Sequence, residues 1–518
     1  GASIFASNIG SEHLIGLAGA GASSGMAMAH WEIQGWMILI LGWVFVPFYS
    51  RSMVYTMPEF LERRYNPQSR TILSVISLVS YVLTKVAVTV YAGGLVFQQV
   101  FGIKELWGID FFWIAAIGLV VLTALYTIFG GMKSVLYTSV LQTPILLLGS
   151  LIILVLGFKE LGGWDEMMRV CGAVTVNDYG DTMTNLIRSN DDANFPWLGA
   201  LIGSAIIGFW YWCTDQFIVQ RVLSGKNEKE ARRGTIFGAY LKLLPVFLFL
   251  IPGMIAFALH QKYIGAGGEG FLPMLANGTA NADAAFPTLV AKLLPAGVKG
   301  LVVCGILAAL MSSLASLFNS SAMLFTIDFY KRFRPETPEK KLVGIGQIAT
   351  VVIVILGILW IPIMRSVGDV LYTYLQDVQS VLAPGIAAAF LLGICWKRTS
   401  AQGGMWGLIA GMIIGLTRLG AKVYYSNAGE VADSTFKYLF YDMNWLFFCG
   451  WMFLFCIIVV IVVSLATEAP TAEKIQGLVF GTATKEQKAA TRASWDHWDI
   501  IHTVIILAIT GAFYWYFW

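Results

Sequence analysis

Long apolar segments alternate with short polar loops along the chain. Apolar runs such as 243–259, 351–363 and 447–466, taken with their uncharged flanks, approach or reach the ~20 residues that cross the hydrocarbon core of a bilayer as a helix. The pattern therefore predicts an all-α integral membrane protein surrounded by the lipid bilayer. About thirteen spanning segments are predicted, near 1–26, 30–50, 71–101, 108–129, 132–158, 196–223, 235–260, 298–328, 341–364, 368–396, 403–425, 438–466 and 500–518.

Basic side chains concentrate in the loops that follow the even-numbered segments. Pairs of arginines or lysines occur at 63–64, 232–233 and 340–341. Because cytoplasmic loops are enriched in Lys and Arg, even-numbered segments are predicted to end in the cytoplasm, in a plasma (cell inner) membrane. The chain opens on Gly1 directly into apolar sequence, so one further N-terminal helix is expected before it.

The composition excludes several classes of protein. Hydrophobic residues make up 57% of the chain and charged residues 13%, about half the charged share of a soluble domain. A net charge of +3 is too small to indicate a nucleic-acid partner. The cysteines show no spacing typical of a disulfide framework or a zinc site. No nucleotide-binding loop and no nucleophile–base constellation is visible, which argues against an ATP-driven pump and against an enzyme.

Two segments are poor helices by composition. The first is rich in Gly and Ser and contains Glu12 and His13, whereas the sixth contains Gly199, Gly203 and Gly208. Interrupted helices at matching positions of two halves indicate an inverted-repeat transporter, although small residues for close helix packing are the alternative. The predicted organisation is a first repeat at 1–158, an external loop at 159–195, a second repeat at 196–396, and peripheral helices at 397–518 with a cytoplasmic linker near 467–499.

Polar side chains interrupt the sixth segment directly after its glycines. The run from Trp210 to Arg221 carries four aromatic residues, an acid, two amides and an arginine. Polar groups in a bilayer are costly, so such a segment is typical of a cavity wall. Together with Glu32, Lys242 and the amide of Gln376, the run predicts a mixed polar pocket walled by aromatic rings. Sugar hydroxyls both donate and accept hydrogen bonds, so this pocket suits a neutral polyhydroxylated ligand.

Taken singly, the charged residues have simpler interpretations. Arg221 is explained as an anchor at the cytoplasmic interface, Lys242 as a side chain that snorkels to water, and Glu32 as a solvated carboxylate at the mouth. In the eighth segment, Ser312 and Ser313 offer adjacent hydroxyl oxygens for a small sodium site. The alternative is that each hydroxyl bonds back to the carbonyl of the preceding turn.

These residues resemble the sodium/solute symporter family and, within it, the sodium/glucose and sodium/myo-inositol cotransporters. The matching stretches are collinear and run from one end of the chain to the other. They are Ala6–Gly19, Tyr55–Leu61, Trp210–Arg221, Leu241–Pro245, Leu310–Ser313, Phe318–Ser320 and Phe390–Arg398. The resemblance implies a LeuT-like inverted repeat of five plus five helices with peripheral helices. It also implies import of a neutral sugar, a glucose- or galactose-type hexose, with co-transported sodium.

The resemblance assigns roles to residues by position. The family's sugar site falls on Asn8, His13, Glu32, Tyr211, Trp212, Lys242 and Gln376. Its outer hydrophobic gate falls on Leu17, Trp31 and Tyr372, and its inner gate on Tyr211. Its main sodium site falls on the carbonyls of Ala6, Ile9 and Ala309 and the hydroxyls of Ser312 and Ser313.

Some positions depart from the family pattern. Ser139 and Ala315 replace polar groups that relatives link to a second sodium, which predicts one sodium per sugar. Gly208 stands where relatives often have a polar group, and Gln34 and Gln379 are also unusual. The solute therefore has alternatives: myo-inositol, sialic acid or an amino acid. A sugar-gated sodium conductance or sensor is the alternative from another class.

Overall fold

Helices make up almost all of the computed structural model of this chain. It describes residues 4–5, 8–10, 12–52, 56–223, 225–275, 278–367, 370–428 and 432–518, with side chains at all of these except 126, 128–143, 220, 319 and 365–367. Within the described residues, two short strands, Glu105–Leu106 and Ile109–Asp110, pair antiparallel in a small hairpin. The architecture is therefore a bundle of helices joined by short connections.

The first two predicted segments form one run of short helical pieces between Glu12 and Ser52. The pieces differ in how many residues each backbone hydrogen bond spans. Such changes along one helix are typical of a helix distorted at a functional site. They are a π-helix Glu12–Leu17, an α-helix Ala18–Ser24, a 3₁₀-helix Gly25–Met28, α-helices Ala29–Glu32 and Gly35–Ile40, a π-helix Leu41–Phe45 and an α-helix Val46–Ser52.

The remaining helices follow the predicted segments closely. The α-helices are Met57–Arg64, Pro67–Ser80, Ala87–Phe101, Phe111–Leu161, Trp164–Gly172, Trp197–Gly208, Gln216–Leu223, Glu228–Lys242, Ile251–Gly265, Ala285–Leu293, Ala296–Met323, Lys331–Phe333, Glu339–Val367, Leu371–Cys395, Ala401–Asn427, Thr435–Lys437, Trp445–Ala466, Ala472–Ile475, Lys485–Ala493 and His497–Tyr516. The π-helical pieces are Tyr81–Val86, Phe209–Thr214, Val246–Leu250, Leu324–Tyr330 and Tyr438–Asp442, and a 3₁₀ turn spans Ala282–Ala284.

Among the described residues, eleven helical runs are long and apolar enough to cross a membrane, fewer than the thirteen predicted. The first two predicted segments are joined into Glu12–Ser52, with only a turn at Ile33 and Gln34 between them. The predicted segments 108–129 and 132–158 lie on one helix, Phe111–Leu161, without an intervening loop. The glycines between them do not end the helix, because glycine adopts helical as well as turn dihedrals.

The helix Leu371–Cys395 lies inside the bundle and is buried along most of its length. It packs against Ala401–Asn427, Trp445–Ala466, Trp197–Gly208 and the turn Glu12–Leu17. Small residues permit these close approaches, as expected where lipid-embedded helices associate through van der Waals packing. A side chain on Gly385, for example, would begin 2.9 Å from the Cα atom of Gly411.

Two of the cavity-lining segments are interrupted. In the first, Ile9 and Gly10 lie outside regular helix. In the sixth, the interruption falls at Asp215, whose backbone is extended (φ −78°, ψ 126°) between Phe209–Thr214 and Gln216–Leu223. The Asp215 carboxylate accepts the amide of Phe217 at 3.2 Å and so caps the helix that restarts there.

The glycines of the sixth segment serve packing, not the interruption. Gly199, Gly203 and Gly208 all lie within the helix Trp197–Gly208. A Cβ atom on Gly199 or Gly203 would lie within 3.0 Å or 2.8 Å of the Leu446 side chain, and one on Gly208 would meet Gln34. The alternative of close helix packing is therefore the one observed for these glycines, and the break lies further along at Asp215.

Candidate functional site

The candidate site is a cavity between the interrupted segments and the central helix Leu371–Cys395. Six of the seven residues predicted to bind solute line it, and the seventh, Glu32, contacts two of them. The lining residues are Asn8, Glu12, His13, Trp31, Gln34, Thr84, Lys85, Val88, Ile207, Gly208, Tyr211, Trp212, Lys242, Tyr372, Leu375, Gln376 and Gln379. Residues far apart in sequence thus meet at one place.

Glu32 anchors one wall of the cavity and has no solvent exposure. Its carboxylate accepts hydrogen bonds from the Lys242 ammonium at 2.7 Å and from the Tyr372 hydroxyl at 2.6 Å, and lies 3.4 Å from the His13 Nε2 atom. A charge buried this deeply is tolerated only when it is paired and hydrogen-bonded. The pair leaves the wall polar without a net charge, and excludes the interpretation of Glu32 as a solvated mouth carboxylate.

The Lys242 side chain is also fixed by an aromatic neighbour. Its Nζ atom lies 5.6 Å from the centre of the Trp212 ring, within the range of a cation–π contact. Because Lys242 is buried and its ammonium turns inward to Glu32, the snorkelling interpretation is wrong. The Asn8 amide, one residue before the first interruption, lies 3.3 Å from the His13 ring.

Three buried polar atoms of the cavity wall have no hydrogen-bond partner among the described residues. They are His13 Nδ1, Trp31 Nε1 and Gln376 Oε1. Buried polar groups in proteins nearly always have a partner, so these atoms mark positions where a ligand would supply one. An indole N–H only donates and an amide oxygen only accepts. The wall therefore presents both kinds of group to a ligand.

Of the predicted gate residues, Trp31, Tyr372 and Tyr211 line the same cavity, whereas Leu17 is not among its lining residues. Leu17 is fully buried, and Trp31 stacks on Trp445 with ring centres 5.4 Å apart and contacts Phe195 edge-on at 6.1 Å. Tyr372 meets the His13 ring at 6.2 Å. The sequence did not indicate that Phe195 and Trp445 close this side, because the partners are separated from Trp31 by hundreds of positions in the chain.

Lys85 is a cavity residue that the sequence analysis missed. Its ammonium lies 3.5 Å from the Asp215 carboxylate, and 4.0 Å and 5.2 Å from the ring centres of Phe217 and Tyr211. A lysine inside the apolar third segment is itself an indication of a functional site, because charges at membrane depth are costly. Lys85 and Asp215 thus hold the predicted inner-gate Tyr211 against the second interruption.

The residues predicted to bind sodium come together in part. Ile9 and Ala309 are buried, and Ser312 and Ser313 lie on the helix Ala296–Met323. A Cβ atom on Gly10 would lie 3.1 Å from the Ser313 hydroxyl oxygen, so the first interruption touches the serine pair. This places freed backbone beside hydroxyl oxygens, the arrangement in which transporters coordinate sodium. The predicted ligand Ala6 and the side chain of Ser139 lie outside the described residues.

Interrupted helices around a buried polar cavity, within a bundle of apolar spans, define a multi-pass membrane transporter. The model of the Sodium:solute symporter family matches residues 1–411, and the chain belongs to this family of sodium-coupled transporters. Family membership confirms the prediction of a symporter and not an enzyme.

The relatives and a solved structure agree with this assignment. The chain is 37% identical over 495 residues to sodium/myo-inositol cotransporter 2 of Homo sapiens, covering 93% of this chain and 72% of that protein. It is 38% identical over 486 residues to sodium/glucose cotransporter 1 of Ovis aries, covering 90% and 72%. The fold is similar to a substrate-bound, outward-open Na⁺-coupled sialic acid symporter, with a TM-score of 0.66, 20% identity and coverage of 91% and 90%. The predicted LeuT-like helical fold is confirmed.

Proposed function

We propose that the protein imports a neutral hexose of the glucose or galactose type together with sodium, one sodium per sugar, across a plasma (cell inner) membrane. The observation that carries the proposal is the set of unpartnered donor and acceptor atoms in a cavity whose buried carboxylate is already neutralised. A hydroxyl donates once and accepts twice, so a polyhydroxylated solute satisfies both kinds of atom. A charged solute would leave its own charge without a partner there.

The proposed solute contacts are Asn8, His13, Glu32, Tyr211, Trp212, Lys242 and Gln376. The aromatic rings of Tyr211 and Trp212 offer faces against which the C–H side of a sugar packs. Tyr211 is proposed as the inner gate, braced by Lys85 and Asp215. Leu17, Trp31 and Tyr372 are proposed as the outer gate, and Trp31 is held by its stacking on Trp445.

The proposed sodium ligands are the carbonyls of Ala6, Ile9 and Ala309 and the hydroxyls of Ser312 and Ser313. Sodium here stabilises the conformation in which the solute cavity is assembled. Coupling needs only that both ligands prefer the same conformation, and it is reciprocal. The membrane potential supplies about 2.3 kcal/mol per charge per 100 mV, to which the sodium concentration gradient adds. The buried methyl group of Ala315 supports a single sodium, since it offers no oxygen.

The proposed architecture is based on the two interrupted segments. Repeats at 1–158 and 196–396 each begin with an interrupted segment, and helices at 397–518 pack around them. The ends of the even-numbered segments are proposed to lie in the cytoplasm, because the loops that follow them are basic. Alternating access then consists of one set of helices rocking against the other around a fixed site.

Myo-inositol is the second candidate solute. A myo-inositol cotransporter is 37% identical to this chain, and inositol is a neutral polyhydroxylated ring that satisfies the same donors and acceptors. Sialic acid and amino acids are less well matched, because each carries a carboxylate, and both lysines that line the cavity are already paired, Lys242 with Glu32 and Lys85 with Asp215.

Competition for uptake tests the solute. Purified protein in vesicles with sodium outside is given labelled glucose, and unlabelled galactose, myo-inositol, sialic acid or an amino acid is added in excess. We expect galactose to suppress uptake most strongly. Stronger suppression by inositol would favour the second candidate. No sodium-driven uptake of labelled glucose or labelled inositol, with uptake of labelled sialic acid or a labelled amino acid in the same vesicles, would contradict the proposal.

A further inference from the structure

We infer that Gln34 is a further solute contact and a determinant of specificity, with its Oε1 atom accepting a hydrogen bond from one solute hydroxyl in space that Gly208 leaves open. The inference rests on the proposed function and extends it to a residue that lies outside the seven predicted contacts. Gln34 lies in the turn between Ala29–Glu32 and Gly35–Ile40, two positions after Glu32. The side chain is buried and lines the cavity.

One hydrogen bond fixes the orientation of the Gln34 amide. Its Nε2 atom donates to the backbone carbonyl of Ser204 at 2.9 Å. A carbonyl oxygen only accepts, so the NH₂ group has to face Ser204, and this settles which end of the amide is the oxygen. Ser204 lies inside the helix Trp197–Gly208, which holds the amide rigidly against the cavity wall.

The Oε1 atom of Gln34 has no hydrogen-bond donor among the residues that the structure describes. Unlike the three buried unpartnered atoms of the wall, this oxygen is not among the fully buried atoms, and it belongs to a side chain that lines the cavity. Because the side chain lines the solute cavity, the missing donor is a group of the solute. A hydroxyl is the donor that a neutral sugar or polyol offers.

Gly208 is the position that makes room for this contact. It is the last residue of its helix and also lines the cavity. A Cβ atom built there would lie 2.6 Å from the Oε1 atom and 3.2 Å from the Cδ atom of Gln34. Any side chain at position 208 would displace the amide, so positions 34 and 208 compete for one space. The Gln34 amide can therefore occupy its position only because residue 208 has no side chain.

The contact discriminates against a solute that lacks the bonded hydroxyl, because that solute does not make the hydrogen bond to Gln34. A bound solute that lacks the hydroxyl covers the Gln34 oxygen without giving it a partner, which costs more than the loss of a solvated hydrogen bond. Sites built around such a bond reject analogues that lack the hydroxyl. We therefore expect the wild-type protein to take up one monodeoxy analogue about tenfold less efficiently than the parent sugar.

A deoxy-sugar scan in the Gln34→Leu variant tests the inference. Leucine keeps the approximate volume of the side chain and removes the acceptor. Sodium-driven uptake of glucose and of its 2-, 3-, 4- and 6-deoxy analogues is measured in vesicles, with inositol and its deoxy analogues used in the same way if inositol is the solute. Discrimination against one analogue should fall from about tenfold to nearly none, while the order of the other analogues is retained.

Two further variants separate this effect from a general loss of structure. Gln99→Leu, at the end of the helix Ala87–Phe101 and outside the cavity, should keep the wild-type pattern. Gly208→Ala displaces the amide without removing it, and should weaken discrimination at the same hydroxyl. It therefore serves as the test if Gln34→Leu does not fold. An unchanged deoxy pattern in whichever of the two variants transports would overturn the inference alone. Absence of sodium-driven uptake by the wild-type protein would overturn the proposed function and the inference with it.

Discussion

Glu32 is held by side chains from three separate elements: Lys242 on Glu228–Lys242, Tyr372 on Leu371–Cys395, and His13 on Glu12–Leu17. A buried carboxylate without its cation is strongly destabilising, whereas loss of both charges is nearly neutral. The network therefore holds the three elements in one arrangement around the cavity. Each of its charges is stable in the interior only while the opposite charge is present.

Charge removal at this pair is predicted to be non-additive. Lys242→Met leaves Glu32 buried without its cation and should lower the free energy of unfolding by about 3–5 kcal/mol. The double variant Glu32→Gln with Lys242→Met should recover most of that stability but not solute uptake. Denaturation followed by tryptophan fluorescence, with uptake measured in parallel, checks both parts. Equal instability of the single and double variants would show that the pair does not carry this coupling.

The serine pair carries a prediction about sodium. Ser312→Ala removes a proposed ligand oxygen and should raise the sodium concentration for half-maximal uptake by about tenfold, the smaller end of what a lost metal-site partner costs. Ser321→Ala is a matched control, because Ser321 is buried on the same helix about 180° round from Ser312. Sodium dependence unchanged by Ser312→Ala would show that the ion site lies elsewhere.

At the residue scale, the sequence predicted most of the cavity because its polar side chains stand out in apolar segments. Glu32, Lys242 and Gln376 were found in this way. Lys85 carried the same indication and was missed, and the unpartnered oxygen of Gln34 depends on a contact with Ser204 that sequence cannot show. The stacking of Trp31 on Trp445 likewise depends on how distant helices pack.

At the element scale, breaks in helices were harder to place than the helices themselves. Glycine content correctly indicated the first interruption, at Ile9 and Gly10, but the second falls at Asp215, a residue type that favours helix N-caps and that glycine content does not mark. There the extended backbone is stabilised locally, by the capping bond to Phe217 and by the nearby Lys85 ammonium. Tertiary contacts decided the position of the break.

The turn Ala282–Ala284 is a second element whose role depends on packing. Asp283 accepts the backbone amide of Leu371 at 3.2 Å, which caps the helix that carries Tyr372 and Gln376. A Cβ atom on Gly19 would lie 2.5 Å from the Asp283 carboxylate, so the turn also rests against the first segment. This loop, on the predicted outer side, thereby ties two cavity-lining elements together.

Burial raises the pKa of Asp283 to about 7. Around it, Ala18–Ser24 carries no titratable side chain, and Ala87–Phe101 offers the Tyr91 hydroxyl at 3.5 Å. Lys292, on Ala285–Leu293, donates instead to the carbonyl of Phe271. The titratable side chains of Glu12–Leu17, Glu12 and His13, face the cavity.

External access to the cavity is predicted to depend on pH through Asp283. The packed state binds the proton more tightly than an exposed carboxylate of pKa about 3.9 would. Lower pH therefore favours the packed state, and between about pH 4 and pH 7 each unit of rising pH favours exposure of Asp283 by up to about tenfold, after which the carboxyl is ionised in both states and the dependence levels off. Labelling of a Gln379→Cys variant by an impermeant thiol reagent should accelerate between about pH 5 and pH 7 and show no further contribution from Asp283 above that. The same variant with Asp283→Asn reports the reagent's own pH dependence, and identical profiles in the two would contradict the prediction.

At the scale of the whole molecule, hydropathy predicted the class of fold, whereas the described helical runs number eleven against about thirteen predicted segments. The length of an apolar segment and the basic content of a loop are properties of contiguous residues, so both can be read directly from the sequence. Whether adjacent segments join, as in Glu12–Ser52 and Phe111–Leu161, depends on turns that hydropathy does not register. Membership of the Sodium:solute symporter family then connects the fold to sodium-coupled transport.

The central claim is that sodium and solute share one conformational cycle, and solute accumulation in vesicles tests it most directly. Purified protein is reconstituted in vesicles, sodium is placed outside only, and labelled glucose is followed with time. We predict that internal glucose rises above the external concentration, and that the overshoot disappears when sodium is equal on both sides or is replaced by potassium. Glucose that never exceeds the external level, with sodium still entering on its addition, would contradict symport and indicate a sugar-gated conductance.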